Sequence, residues 1–188
     1  MLRWSGGLHA YRLLRTHITR DPIASILTYH SVGGEPHLDA MTTRSATFRT
    51  QLGWLARHFR VQTVDDVLSL GGPAADRISL TFDDGLADNY EVALPILEEF
   101  GFRAVYFVIA DRIGTPGYMT AAQVLSCTER GIEIGSHTMT HPKLAECGEI
   151  QLYEEIRVAK ESLEQIIGRP VTKLAYPYGK IGVVGEAA

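Results

Sequence analysis

The stretch RAVYFVI at residues 103–109 constrains the fold more than any other, because it is apolar almost without interruption. A strand with one wet face alternates apolar and polar residues, whereas a run without alternation has to be covered on both faces, as in a parallel sheet packed between other elements. Four further β-rich runs are spaced along the chain: SILTYH (25–30), RISLTF (77–82), IEIGSH (132–137) and TKLAYP (172–177). Helical patterns fall between them. Phe48, Leu52, Leu55, Ala56 and Phe59 recur at helical spacing behind Ser45, the expected N-cap. After LTFDDG, Asp88 and Glu91 have capping-box spacing, Pro95 is expected to kink or restart the helix, and Gly101 to stop it. The clearest helix is IQLYEEIRVAKESLEQII. Its apolar stripe is Leu152, Ile156, Ala159, Leu163 and Ile166, its charged residues Glu155, Lys160 and Glu161 lie off that stripe, and Gly168 with Pro170 ends it.

This order predicts β/α units forming an α/β sheet or barrel. A (β/α) barrel takes roughly 200 residues or more to close. The chain stops at GKIGVVGEAA, where another helix should begin, so the expectation is a barrel incomplete at its C-terminal end. Residues 1–24 read as a solvated arm and 25–188 as one compact domain. Arg3, Arg12, Arg15 and Arg20 make the arm locally basic, yet the chain as a whole carries a net charge of -4 and shows no basic face, so no nucleic-acid partner is expected. Cys127 and Cys147 lack zinc-finger or Cys-x-x-Cys spacing and read as reduced structural thiols. The N-terminal stretch is broken by charges and glycines and carries no apolar export core, and no segment is long enough to span a membrane; the cytoplasm is the expected location. The oligomeric state is left open by the sequence.

In parallel α/β folds ligands gather where strands end at their C-terminal side. His30, the pair Asp83 and Asp84, His137 and Tyr178 all fall at such ends. Taken singly, a strand-end aspartate is more often a helix cap or turn former, and a lone histidine a hydrogen-bonded structural group. Together they suggest convergence. His137 and His141 are four apart in SHTMTHP, which puts two imidazoles on one side of a turn, and two histidines with a carboxylate make a common divalent-metal set. His9, His17, His37 and His58 have no such partners and receive no role. Tyr106 and Phe107 sit inside the apolar strand and read as core.

LTFDDG, SHTMTHP and AYPYG, in this order, resemble the first three motifs of the polysaccharide deacetylase family, carbohydrate esterases sharing the NodB homology domain. ALPILEEFGFRAVYFV and GIEIGSHT also read like that family, and the resemblance runs from Ile26 to the end. It implies a distorted (β/α) barrel and hydrolytic removal of acetyl groups from an N-acetylated glycan. It also implies a divalent metal ion, zinc first, with cobalt, nickel, iron or manganese as other choices. Carried over by motif, Asp84, His137 and His141 are the metal ligands, Asp83 is the catalytic base, and the backbone N–H of Tyr178 takes the oxyanion-hole role. LTYHS resembles the circularly permuted poly-N-acetylglucosamine deacetylase branch, where a first-strand histidine is the acid, so His30 is the candidate here. Two features depart from the pattern. Ala175 stands where the family commonly has an arginine that orients the base, and the supporting Asp/Trp motif would lie beyond Ala188. Two other functions therefore accompany the first: a carbohydrate-binding pseudoenzyme, and a small-molecule amidohydrolase or deformylase on the same fold.

Overall fold

The structure is a computed structural model, and it describes residues 25–33, 41–69 and 76–179. The basic arm, the chain after residue 179 and His9, His17 and His37 lie outside the described residues.

Strands β1 (Ser25–Tyr29), β5 (Arg77–Phe82), β6 (Val105–Val108) and β7 (Glu133–Ser136) lie side by side in that order, and every strand pairing is parallel. Each matches a run predicted from the sequence: β5 coincides with its run, and the other three are shorter by a residue or more at one or both ends. The fifth run, 172–177, contributes only a bridge from Leu174 to Ser136, flanked by the bonds Ser136 N–H to Lys173 O and Ala175 N–H to Ser136 O. The α/β class with a parallel sheet is thus observed, and among the described residues the sheet is not closed into a barrel. Three strands were not anticipated. β2 (Ser31–Gly33) pairs with β3 (Thr42–Arg44), and β4 (Arg60–Val61) pairs with the start of β5. All three have only two or three residues, too few for a period-2 pattern to register.

Helix α1 (Ser45–His58) buries Phe48, Leu52 and Leu55, as their spacing requires. Ser45 does not cap it: Arg44 occupies the flanking position, without a side-chain cap bond, because β3 runs directly into the helix. Helices α2 (Val64–Leu68) and α4 (Ala121–Glu129) do carry capping boxes, Thr63 with Asp66 and Thr120 with Gln123. The capping box expected of Asp88 and Glu91 does not form. Asp88 already has helical φ and ψ, and its carboxylate instead accepts from the Ser31 hydroxyl at 2.5 Å and Asn89 Nδ2 at 3.0 Å. A wide turn, Asn89–Ala93, leads into α3 (Leu94–Glu99), so Pro95 restarts the helix, and Gly101 follows with positive φ.

The last helical stretch consists of α5 (Glu149–Tyr153), a second wide turn Glu154–Val158, and α6 (Ala159–Ile167), ended by left-handed Gly168. A wide turn adds a residue to the helical period. It turns Glu155, which a regular helix would place off the apolar stripe, into the interior at 3% exposure. Among the described residues no helix is long and apolar enough to cross a membrane.

The core is aromatic at its centre. Phe82 of β5 lies 4.9 Å from Tyr106 of β6, 5.4 Å from Tyr29 of β1 and 5.8 Å from Phe48 of α1, measured between ring centroids. Such pairs add about 0.5–1.5 kcal/mol beyond the area they bury, and they tie β6 to β1 and β5, the two strands whose ends carry His30, Asp83 and Asp84. The buried hydroxyls find acceptors, Tyr106 at Asn89 O (2.9 Å) and Tyr29 at Gln51 Oε1 (3.0 Å). Cys127 and Cys147 are free thiols, as expected.

Candidate metal centre

β5 ends at Phe82, and the chain turns at once. Asp84 has φ 75° and Gly85 φ 73°. Two successive left-handed residues break the alternation that would send adjacent side chains to opposite faces of a strand. The turn is therefore made by Asp84 itself as well as by the glycine. At Gly85 an added Cβ would meet Val108 Cγ1 at 3.0 Å and Val108 Cα at 3.2 Å. Gly85→Ala, strained in φ and in space, is expected to lower stability by about 1–3 kcal/mol, measurable as a shifted denaturant midpoint with unchanged slope.

The loop after β7 supplies the histidines. His137 is 2% exposed and its Nδ1 lies 2.9 Å from Ala175 O. A carbonyl can only accept, so Nδ1 carries the proton and Nε2 keeps its lone pair. That Nε2 is 3.6 Å from Asp84 Oδ1, and His141 Nε2 is also 3.6 Å from the same oxygen. Burial, ahead of the neighbouring histidine charges, pushes His137 down to about 4, so at neutral pH it is an uncharged donor. One donor atom from each of Asp84, His137 and His141 lies within 4.8 Å of the others. The 3.6 Å gaps are too long for hydrogen bonds and suit donors that each stand about 2.0–2.2 Å from one shared cation. Two imidazoles and a carboxylate form a donor set of the catalytic zinc type, so the residues fit the ion that the motifs imply.

Asp83 and His30 sit beside the triad, with His30 Nε2 3.9 Å from Asp83 Oδ2. Burial, and secondarily the like charge of Asp84, push the Asp83 carboxyl up to about 7, the range in which a base works at neutral pH. Asn89 holds this corner from below: its Nδ2 donates to His30 O at 2.7 Å. Tyr178, 55% exposed, places its ring 4.9 Å from that of His141. All five predicted strand-end residues and His141 thus fall on this one end of the sheet. His58, which received no role, stacks on Trp54 of the same helix.

Sequence reasoning missed the supports. Thr138 Oγ1 accepts the His141 N–H at 3.0 Å, and the Glu155 carboxylate binds the same turn. The only signal for Glu155 was an acidic residue in the strongest helix, where a solvated face is the ordinary reading. The backbone marks the site independently. Among the described residues, the non-glycine residues with positive φ are Asp84, Thr138, His141 and Tyr178, all at this site. Each such position costs on the order of 1–3 kcal/mol and persists only where its surroundings over-determine it.

A model of the family described as polysaccharide deacetylase matches residues 71–184. The chain is 28% identical over 160 residues to YxkH of Bacillus subtilis, a protein named provisionally as a polysaccharide deacetylase; the match covers 82% of this chain and 56% of that one. It is 29% identical over 107 residues to the peptidoglycan-N-acetylglucosamine deacetylase PgdA of Listeria monocytogenes, covering 56% of this chain and 22% of PgdA. The chain thus spans little more than half of the first relative and under a quarter of the second. Among solved structures, IcaB from Ammonifex degensii superimposes with a TM-score of 0.76 over 86% of this chain and 78% of its own, at 22% identity, a likeness of fold. With the motif residues gathered at one sheet end and the family match running through all three motifs, the chain belongs to the polysaccharide deacetylase family.

Proposed function

We propose that this chain is a metal-dependent deacetylase that hydrolyses N-acetyl groups on a polysaccharide or oligosaccharide. The observation that carries the reading is the approach of Asp84, His137 and His141 within 4.8 Å beside the half-buried Asp83. The PgdA name supports an N-acetylated glycan as substrate class. Asp84, His137 and His141 would hold the ion, zinc being the first choice for this donor set. A bound divalent ion supplies Lewis acidity toward the amide carbonyl and lowers the pKa of water.

The chain's own residues divide the remaining work. Asp83 accepts one proton from the water that attacks the acetyl carbon. The Tyr178 N–H donates to the carbonyl oxygen as negative charge develops there; removing one such donor typically costs about 2.7–4 kcal/mol. His30, as imidazolium, protonates the sugar nitrogen as the C–N bond breaks, and acetate and free amine leave. The Ala175 carbonyl holds His137 in the tautomer that keeps Nε2 free.

One observation favours a second reading, a glycan-binding pseudoenzyme: Ala175 replaces the arginine of the family motif, and among the described residues His30 is the one ion-pair partner of Asp83. The test is acetate release from N-acetylated chito-oligosaccharides with Zn²⁺ or Co²⁺ added. Acetate that accumulates and stops on chelation is the expected result. Glycan binding without acetate would establish the pseudoenzyme, and acetate or formate released from small acylated amides alone would establish an amidohydrolase or deformylase.

A further inference from the structure

Among the described residues Glu155 is the only buried carboxylate. It reaches the interior through the wide turn Glu154–Val158, and its partners all belong to the stretch between the two histidine ligands. Glu155 Oε2 accepts the N–H groups of Met139 at 2.9 Å and Thr140 at 2.8 Å, and Oε1 accepts the Thr140 hydroxyl at 2.6 Å. The Met139 N–H also reaches the Glu155 backbone carbonyl, so the two Thr140 donors are the ones that depend on the side chain.

We propose that Glu155 is a positioning residue for the metal site. It pins the 138–141 turn, whose ends Thr138 and His141 both have positive φ, so that the two imidazoles face Asp84 before an ion arrives. This rests on the reading of Asp84, His137 and His141 as metal ligands. Three donors converging on one buried carboxylate over-determine a turn that would otherwise relax to ordinary φ values. Thr140 is exposed, so without the carboxylate water can take its donors, and the turn loosens while the core stays packed. Partners one shell out from a metal typically govern its affinity about 10–100-fold.

The carboxylate acts here as an acceptor of fixed shape. A glutamine in its place can accept both N–H groups through its carbonyl oxygen while its amide donates to the Thr140 oxygen. Glu155→Gln should therefore retain the geometry and lose only the charge.

The test is a competitive-chelator titration of Zn²⁺ and Co²⁺ into the full chain, with the visible absorption of the Co²⁺ form as a second readout. Glu155→Ala is expected to bind each metal about 10–100-fold more weakly and to change the Co²⁺ spectrum. Glu155→Gln is expected to match the unaltered chain in both. Thr140→Val, which removes one of the three bonds, covers the case in which Glu155→Ala does not fold; it should weaken binding in the same direction by less. Unchanged affinity in Glu155→Ala, or in Thr140→Val where that variant stands in for it, overturns the proposal. So does a Glu155→Gln loss equal to that of Glu155→Ala. If the unaltered chain binds no better than Asp84→Ala, the ligand reading fails and the proposal falls with it.

Discussion

Asp84→Ala is expected to abolish stoichiometric metal binding. Asp84 is the only anion in the triad, and both imidazole Nε2 atoms face a single one of its oxygens at 3.6 Å. Alanine there leaves two imidazoles and no carboxylate to offset the desolvation of a dication. His137→Ala should have the same outcome, because it removes a buried, preformed donor whose tautomer is already set by Ala175. Elemental analysis after dialysis against trace metal reads the result directly. Metal retained at full stoichiometry in either variant would mean that the ion sits elsewhere.

Asp83→Asn is expected to do the opposite: keep the metal and lose turnover. The amide preserves the shape of the carboxylate but has no basic oxygen to receive a proton. Removing a positioned base typically costs about 10²–10⁴-fold in rate. The comparison discriminates because Asp83 and Asp84 are adjacent, so a general disturbance of the turn would harm both functions alike. Equal metal loss in the Asp83 and Asp84 variants would refute the division of roles between them.

Much of this was legible in the sequence, for definable reasons. β6 was readable because a buried strand has no polar face to confuse its pattern, and Val105, Tyr106, Phe107 and Val108 are all buried. The candidate ligands were readable because Asp84 and His137 fall within two residues of a strand end and His141 follows in the same loop, so local order put them at one end of the sheet. Capping was read less well. Thr63 and Thr120 form capping boxes that the spacing Thr-x-x-Asp and Thr-x-x-Gln announces, whereas Asp88 matched its template and was claimed instead by Ser31, 57 residues away in sequence. A local rule cannot anticipate a distant competitor for the same oxygen. Glu155 was illegible for a related reason: a helical wheel assumes one period throughout, and the wide turn changes it inside the helix. Pro95 was placed correctly because a missing N–H is tolerated near a helix start.

The left-handed residues bear on whether such a site can be moved. SHTMTHP looks like a cassette, a short string carrying two of the three proposed ligands. Yet Thr138 and His141 hold conformations that a free peptide of this sequence would seldom visit, and what restrains them includes the carboxylate of Glu155, on another element and 15 positions beyond the Thr140 N–H that it binds. Grafted onto a foreign sheet without that helix, the seven residues would arrive with their donors pointing apart. The smallest transplantable unit is a strand end, its turn and the irregular helix behind it.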